Sequence, residues 1–562
     1  LRASIDPITL EVVRNALTEV AEEMNTNLIR TSYSPNIKER QDCSSALFDA
    51  SGKMIAQAES IPVHLGAMPF SVEAVLDEFG TLSPGDVVVL NDPFRGGAHL
   101  PDITFVSPVF FEDRPVALVA NRAHHADIGG SVPGSVAGDS TEIYQEGLRL
   151  PPIKLWKGGE LDERLMELIL ANVRTPEERR GDLLAQRAAN ETGRKRFREL
   201  IERHGIDLLE DVIEEVFDYS ERRMRKEIKS LPDGVYRYAD FLDGDGSGEG
   251  KVKIAVEITI EGDDITFDYS DSSPAVQGPV NAVFAVTASA TYFTIKGFTD
   301  PDIPPNEGCY RPVEIIASKG TVVHAQPPAP VVGGNLETSQ RVVDTLIGAL
   351  AQAVPEKGLG GCQGTMNNLT LGGIDPRSGS PYTLYETIGG GYGGRPNKDG
   401  VDGIHSHMTN TLNTPVEALE ISYPLRVRRY ELRQDSSGPG KWRGGMGIRR
   451  EVQVVDHKAR ISLLSERRRL RPYGVEGGGG GAKGEDFKLN PDAGEREPIP
   501  AKGSTELNEG EIVSIRTPGG GGYGRSEERD RKLVEKDYRE ERISAKYAKE
   551  HYGYDFSAGG GE

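Results

Sequence analysis

At 562 residues the chain is far longer than one ordinary domain, and the usual ~100–200 residues per domain suggests about three or four structural units. Apolar residues at 37% and charged residues at 27% exclude the long disordered and membrane-embedded classes. The 87 acidic residues outnumber 66 basic ones along the whole length, for a formal charge of -21, so nucleic acid is not an expected partner.

From the N-terminus, residues 1–7 lack a basic start followed by an apolar core, and the longest apolar run, near 346–354, is far short of a membrane span. Neither export nor a membrane partner is expected. Asp6-Pro7 opens a helix, with Asp as cap and Pro in the first turn. Leu10, Val13, Leu17, Val20, Met24 and Leu28 follow at spacings of three and four, which makes that face core. Cys43, Cys309 and Cys362 are an odd, widely spaced set that cannot build a disulfide framework. They suit a reducing compartment, so a cytoplasmic location is expected.

Residues 46–55 read as a hairpin turning at Asp49-Ala50-Ser51-Gly52, and 87–90 and 116–120 as buried strands that run into polar, Gly-rich or His-rich loops. Thr175-Pro176-Glu177-Glu178 has capping-box spacing and opens a helical stretch broken at Gly205 and resuming to about residue 230. From 234 to 269 apolar residues alternate, as in Val252, Ile254, Val256, Ile258 and Ile260, the pattern of a β meander. A mixed glycine-rich region follows to about 424, then short β-like runs among Gly-rich loops over 425–523. The segment 525–552 is dense in mixed charge and is expected to add little to the core, as an exposed helix or a tail ordered only by a partner. The expected class is a multi-lobed α+β chain. Its parts are an α/β lobe (1–174), a helical connection (175–232), a central mixed β region (233–424), a Gly-rich β region (425–524) and a charged tail (525–562).

Asp243-Gly244-Asp245-Gly246-Ser247-Gly248 begins like an EF-hand loop, but the twelfth position is Ile254 where a bidentate Glu is needed. Gly389-Gly390-Gly391-Tyr392-Gly393-Gly394 fits a dinucleotide fingerprint only because it is mostly glycine, and it opens no periodic helix. Neither a phosphate-cradling G-x-x-x-x-G-K-[ST] loop nor a G-x-S-x-G nucleophile elbow occurs anywhere.

The strongest chemical signal is Gly96-Gly97-Ala98-His99-Leu100-Pro101-Asp102 followed by Asn121-Arg122-Ala123-His124-His125-Ala126-Asp127. Two loops after two strands each offer imidazole and carboxylate, with Asp42 upstream as a further oxygen. Glycine allows a tight turn and Pro101 stiffens the step from His99 to Asp102. That donor set suits a divalent ion, zinc first, with manganese or iron as alternatives. His405 and His407, alternate residues of an extended segment, form a weaker second pair that could line a cleft. His64, among apolar neighbours in Pro62-Val63-His64-Leu65, reads as a hydrogen-bonded core or cleft residue. Cys43 and Cys362 read as small buried residues.

At these residues the chain resembles the hydantoinase B/oxoprolinase family, and the likeness runs along nearly its whole length. It is carried by Asp6-Pro7-Ile8-Thr9, Asn91-Asp92-Pro93-Phe94 through Asp102, His124-His125-Ala126-Asp127-Ile128-Gly129-Gly130 and Gln277-Gly278-Pro279-Val280-Asn281. Further on it is carried by Pro305-Asn306-Glu307-Gly308-Cys309, Gly333-Gly334-Asn335-Leu336-Glu337-Thr338-Ser339 and Thr517-Pro518-Gly519-Gly520-Gly521-Gly522-Tyr523-Gly524. The resemblance implies a hetero-oligomer. In it, a hydantoinase A-type, actin-like subunit binds ATP and phosphorylates the oxygen of a cyclic amide, and this type of subunit completes hydrolysis at a metal. It implies His99, Asp102 and His124 as ligands with Asp42 as a fourth, and Asp127 or His125 as residues that orient a ligand or accept a proton. Ketone carboxylation by a related complex, and a non-catalytic scaffold whose histidines stabilise the fold, are the alternatives.

Overall fold

The computed structural model describes residues 5–58, 60–248 and 250–556. The first lobe is built on a seven-stranded antiparallel sheet in the order β2-β1-β5-β4-β3-β6-β7. Its strands are β1 (Cys43–Asp49), β2 (Met54–Gln57), β3 (Val87–Leu90), β4 (Asp102–Phe111), β5 (Arg114–His124), β6 (Ile153–Lys157) and β7 (Glu160–Leu161). Successive side chains of a strand point to opposite faces, and the two faces are covered differently. Leu47, Ala117 and Val119 pack with Val13, Leu17, Val20 and Met24 of the helix Pro7–Thr31 and with Phe197 and Ile201 of the helix Pro176–His204. Ala46, Phe48, Leu118 and Ala120 pack with Val72 and Val75 of the helix Met68–Phe79. The first helix starts where the sequence places it, with the Asp6 side chain accepting from the N–H groups of Ile8 and Thr9. Thr175 opens its helix without a side-chain cap bond, so the expected capping box does not form.

Gly205 separates the helices Pro176–His204 and Ile206–Ile228. The meander expected over 234–269 is the strands Gly234–Leu242, Val252–Glu261 and Asp264–Asp268, joined in parallel by Val313–Ile316. Its alternating residues Val252, Ile254, Val256, Ile258 and Ile260 all enter one core with Val342, Leu346 and Leu350 of the helix Ser339–Ala353. A single π-turn, Gly334–Thr338, leads into that helix.

The remaining strands form two sheets, Pro381–Glu386, Asn368–Ile374, Ala459–Leu464 and Lys502–Leu507 against Leu425–Leu432, Ile448–Val454, Ile512–Arg516, Glu485–Asn490 and Glu495–Pro498. Leu369, Leu371 and Leu463 of one share a core with Val452, Val513 and Ile515 of the other, the arrangement of a β-sandwich. The sandwich thus begins near residue 368, upstream of the expected boundary at 424. Beside it the glycine-rich segments run against one another. Gly391 N–H donates to Pro518 O, Gly394 N–H to Gly521 O, Gly521 N–H to Gly361 O, Gly520 N–H to Gly445 O and Gly522 N–H to Gly479 O. A Cβ on Gly521 would lie 1.8 Å from Tyr473 O, so only glycine permits this spacing.

The charged C-terminal segment differs from its expectation. Helices Arg531–Arg539 and Ala545–Tyr552 close a small core of Val534, Ile543 and Ala548. They dock on the glycine-rich unit through Arg529–Asp399, Arg443–Asp537 and Arg542–Asp402 ion pairs and the Tyr547 hydroxyl on Ser437 O. Its charges are used within the chain. Among the described residues, no helix is long and apolar enough to cross a membrane.

Candidate metal centre

Strand pairing explains why the imidazoles and carboxylates meet. Asp102 stands opposite His124 in the β4–β5 ladder, and Cys43 stands opposite Ala123 in the β1–β5 ladder. The His124 N–H donates to Asp42 O, so the ends of three strands bring Asp42, Asp102 and His124 to one edge of the sheet. The turn before β4 adds His99, whose carbonyl accepts from the Asp102 N–H. That turn is pinned by Asn91, whose amide donates to Leu100 O and Leu148 O and accepts from the Leu150 N–H. Gly97 lies so close to the backbone of Asn91 that a Cβ would sit 2.4 Å from its oxygen.

His99 Nε2 is 3.0 Å and His124 Nδ1 3.3 Å from Asp102 Oδ1, and all three side chains are buried. Potential ligand atoms of His99, Asp102 and His124 fall within 4.8 Å of one another. His64 joins them, its Nε2 3.4 Å from Asp102 Oδ1 and 3.9 Å from Asp42 Oδ1, with Nδ1 beside the Ser44 hydroxyl. Its apolar neighbours give no hint of this, and only the tertiary fold brings it in. Asp42 therefore borders the cluster through His64.

Burial opposes the charge of Asp102, but the imidazoles of His99, His64 and His124 hold its carboxyl well below the usual range. Burial pushes His124 down, towards the neutral form that ligates metals. Asp102 Oδ1 faces three imidazole nitrogens at 3.0–3.4 Å, while His99 Nδ1, His124 Nε2 and Asp102 Oδ2 have no hydrogen-bond partner among the described residues. Buried polar atoms rarely stay so, and a divalent cation fits this donor set.

His125 and Asp127 are placed otherwise. His125 Nε2 meets Gln186 Oε1 at 2.9 Å, and burial together with Arg179 lowers its pKa to about 4. Asp127 accepts from the N–H groups of Gly129, Gly134 and Arg174 and from the Arg174 guanidinium at 2.8 Å. Four donors occupy the carboxylate, which leaves no lone pair for a proton from water. Neither side chain bonds to the cluster, so in place of the expected base they anchor the loop after β5.

The cluster lies where the first lobe meets the sandwich. Tyr385 stacks on His124 with ring centroids 4.4 Å apart and carries the Arg40 guanidinium 4.9 Å from its own ring. Arg40 also donates to Tyr385 O, Thr387 Oγ1 and Leu412 O. The two histidines of the weaker pair separate. His405 is lowered to about 4 by burial and Arg40, whereas His407 Nε2 pairs with Asp344 Oδ1 at 3.0 Å. The three cysteines are buried and free.

Caprolactamase subunit beta of Pseudomonas jessenii is 33% identical over 98% of this chain and 96% of its own length. The crystal structure of ATP-dependent caprolactamase from the same organism superposes with a TM-score of 0.92 at 32% identity, covering 100% of this chain and 98% of that one. 5-Oxoprolinase 1 of Arabidopsis thaliana is 37% identical over 92% of this chain, which spans 42% of that longer protein. A nucleotide-free structure of acetone carboxylase matches in fold, with a TM-score of 0.90 at 19% identity over 98% of this chain and 79% of that one. The profile described as Hydantoinase B/oxoprolinase matches residues 6–526. With that match and these relatives, the chain belongs to the hydantoinase B/oxoprolinase family.

Proposed function

We propose that this chain is the metal-binding subunit of an ATP-dependent hydrolase of cyclic amides. The observation that carries the reading is the buried His99–Asp102–His124 cluster with its unpartnered donor atoms, in a chain similar along its length to a caprolactamase subunit. His99, Asp102 and His124 would hold the ion, with Asp42 as a fourth ligand; imidazole plus carboxylate favours zinc over manganese or iron. When bound, such an ion supplies Lewis acidity that activates water and polarises a carbonyl.

The chain's own residues define the rest. Asn91, Gly97 and the β4–β5 register orient the ligands. Tyr385 covers one face of His124 and excludes water from it. His64, between Asp42 and Asp102, is the imidazole placed to hold or pass a proton at Nε2. A resting amide is a poor electrophile, and phosphorylation of its oxygen would make it a better one. The sequence holds no phosphate-cradling G-x-x-x-x-G-K-[ST] loop, which supports activation on a hydantoinase A-type, actin-like partner that binds ATP.

The test is co-expression with such a partner, followed by metal analysis and by ADP and product formation on hydantoin, 5-oxoproline and ε-caprolactam. Metal-dependent, ATP-dependent ring opening is expected. Turnover that survives complete metal removal would overturn the reading.

A further inference from the structure

A cavity of about 480 Å3 lies outside the metal cluster. Its wall joins aromatic and aliphatic side chains, including Tyr292, Phe293, Tyr310, Ile347 and Tyr392, to a polar set that contains His407, Lys296 and Lys357. That volume and character are typical of small-molecule sites. The cavity adjoins the cluster, because Ser60, Pro62 and Gly66 line it while His64, on the same short segment, touches Asp102. The Val63 N–H donates to Met408 O, which ties the segment to the residue after His407.

His407 is built in with care. It is buried, its ring lies between Tyr392 and Phe293, with centroids 5.7 and 6.5 Å away, and Nε2 is fixed by Asp344. Nδ1 is buried without a hydrogen-bond partner. Its φ of 53° is the left-handed backbone that non-glycine residues seldom adopt, and such strain concentrates at functional positions.

Behind it runs a chain of alternating charge. Lys502 pairs with Glu466 at 2.5 Å, Glu466 with Arg341 at 3.7 Å and Arg341 with Asp240 at 3.2 Å. Arg467 then joins Asp240 at 2.7 Å to Asp344 at 2.8 Å, and His407 ends the chain at the cavity wall. Asp344, Cys362 and His407 also have donor atoms within 4.8 Å of one another, which is metal-like spacing. The guanidiniums of Arg467 and Arg341 argue against an ion there, since Asp344 is already compensated. Burial opposes charge on His407, but Cys362, beside it, and Asp344 outweigh it and raise its pKa to about 10.

We propose that this cavity is the cyclic-amide binding site, and that His407, held by Asp344, hydrogen-bonds the polar edge of the amide while the aromatic wall takes the methylene ring. The proposal rests on the hydrolase reading for the identity of the ligand class. It makes His407 a substrate-contacting residue and Asp344 a positioning residue.

The test uses the full chain loaded with zinc, and ε-caprolactam and 2-pyrrolidinone as probes, followed by ligand-observed NMR titration. His407→Asn suits the backbone, because Asn tolerates the left-handed conformation. Gly297→Leu, at a helical cavity-lining position where a Cβ meets nothing within 4 Å, fills the space without a clash. Both variants are expected to keep the wild-type zinc content and to weaken probe affinity about tenfold or more, the loss of at least about 1.4 kcal/mol. Wild-type affinity in both variants, or no binding to the wild type, overturns the proposal. So does a second zinc per chain that His407→Asn removes. His99→Ala separates the two readings, since it should lose zinc and keep probe binding. If probes bind through His407 but no reconstituted complex hydrolyses any cyclic amide, the hydrolase reading fails and the cavity assignment stands.

Discussion

The chain contains two buried imidazole–carboxylate clusters, one with three imidazoles and two carboxylates and one with a single imidazole, carboxylate and thiol, and their surroundings differ as well. Among the described residues, Asp102 and Asp42 have no guanidinium or ammonium within ion-pair distance, only histidines. Asp344 has His407 on one oxygen and Arg467 on the other. A carboxylate left short of positive charge, with donors that lack partners, is prepared for a cation. One that ends an alternating ion-pair chain is prepared to hold a side chain still. Donor atoms lie within 4.8 Å of one another in both places, and the charges behind the carboxylate separate a candidate ligand from a clamp.

The largest effect should come from breaking the first cluster. His99→Ala and His124→Ala are each expected to abolish stoichiometric metal and to lower ring-opening turnover about a hundredfold or more, because too few donors remain. Metal content measured beside ADP and product decides it, and wild-type values for both variants contradict the assignment. Next, Arg467→Met should remove the guanidinium from one oxygen of buried Asp344 and leave it His407 alone as an ion-pair partner, at a cost of up to about 3–5 kcal/mol, while metal content is unchanged. Denaturant titration reads the first quantity, and loss of metal in this variant would blur the distinction between the clusters.

Glu146 sharpens the comparison as a buried carboxylate with neither kind of support. Among the described residues it accepts hydrogen bonds from Ser140 and the N–H groups of Val331 and Val332, and burial raises its pKa from 4.5 to about 8. The folded state therefore holds its proton more tightly than the unfolded state. Its contribution to stability is fully present below pH 4.5 and is lost as pH rises through about 8. Glu146→Gln should remove that loss, so the variant gains on the wild type between pH 5 and pH 9 by on the order of a few kcal/mol. A stability difference independent of pH would show that Glu146 is ionised throughout. The smallest effect is expected from Cys362→Ala, about 1 kcal/mol or less with no change in metal. Metal loss in this variant would make Cys362 a ligand and the second cluster a metal site.

Much of this was legible from local pattern. The amphipathic first helix, the hairpin at Asp49, the break at Gly205 and the alternation from Val252 to Ile260 all depend on neighbours in sequence, and each stands as read. His99 and Asp102 were visible because they share one turn, and His124 because a strand ends on it. His64 was not, since its neighbours are apolar and its partners arrive from other elements. Asp344, Cys362 and His407 come from a helix, a glycine segment and a loop, so nothing in their spacing foretold a cluster. Asp127 shows the reverse limit: next to His124 and His125 in sequence its carboxylate looks available, and only the fold brings Arg174 onto it.

The glycine-rich segments have a consequence for the cavity. Tyr392, one wall of it, sits inside them, with its N–H on Val401 O and its carbonyl accepting from Gly445 N–H. These segments are laced together largely by main-chain bonds, so a shift in one is not absorbed by side-chain repacking alone. A one-residue deletion in 389–394 would move Tyr392 out of phase with every neighbouring strand of the lacing at once. The shape of the cavity is thereby tied to chain length in this glycine-rich region, where an added Cβ already meets neighbouring backbone, as at Gly393, 1.7 Å from Gly360 O.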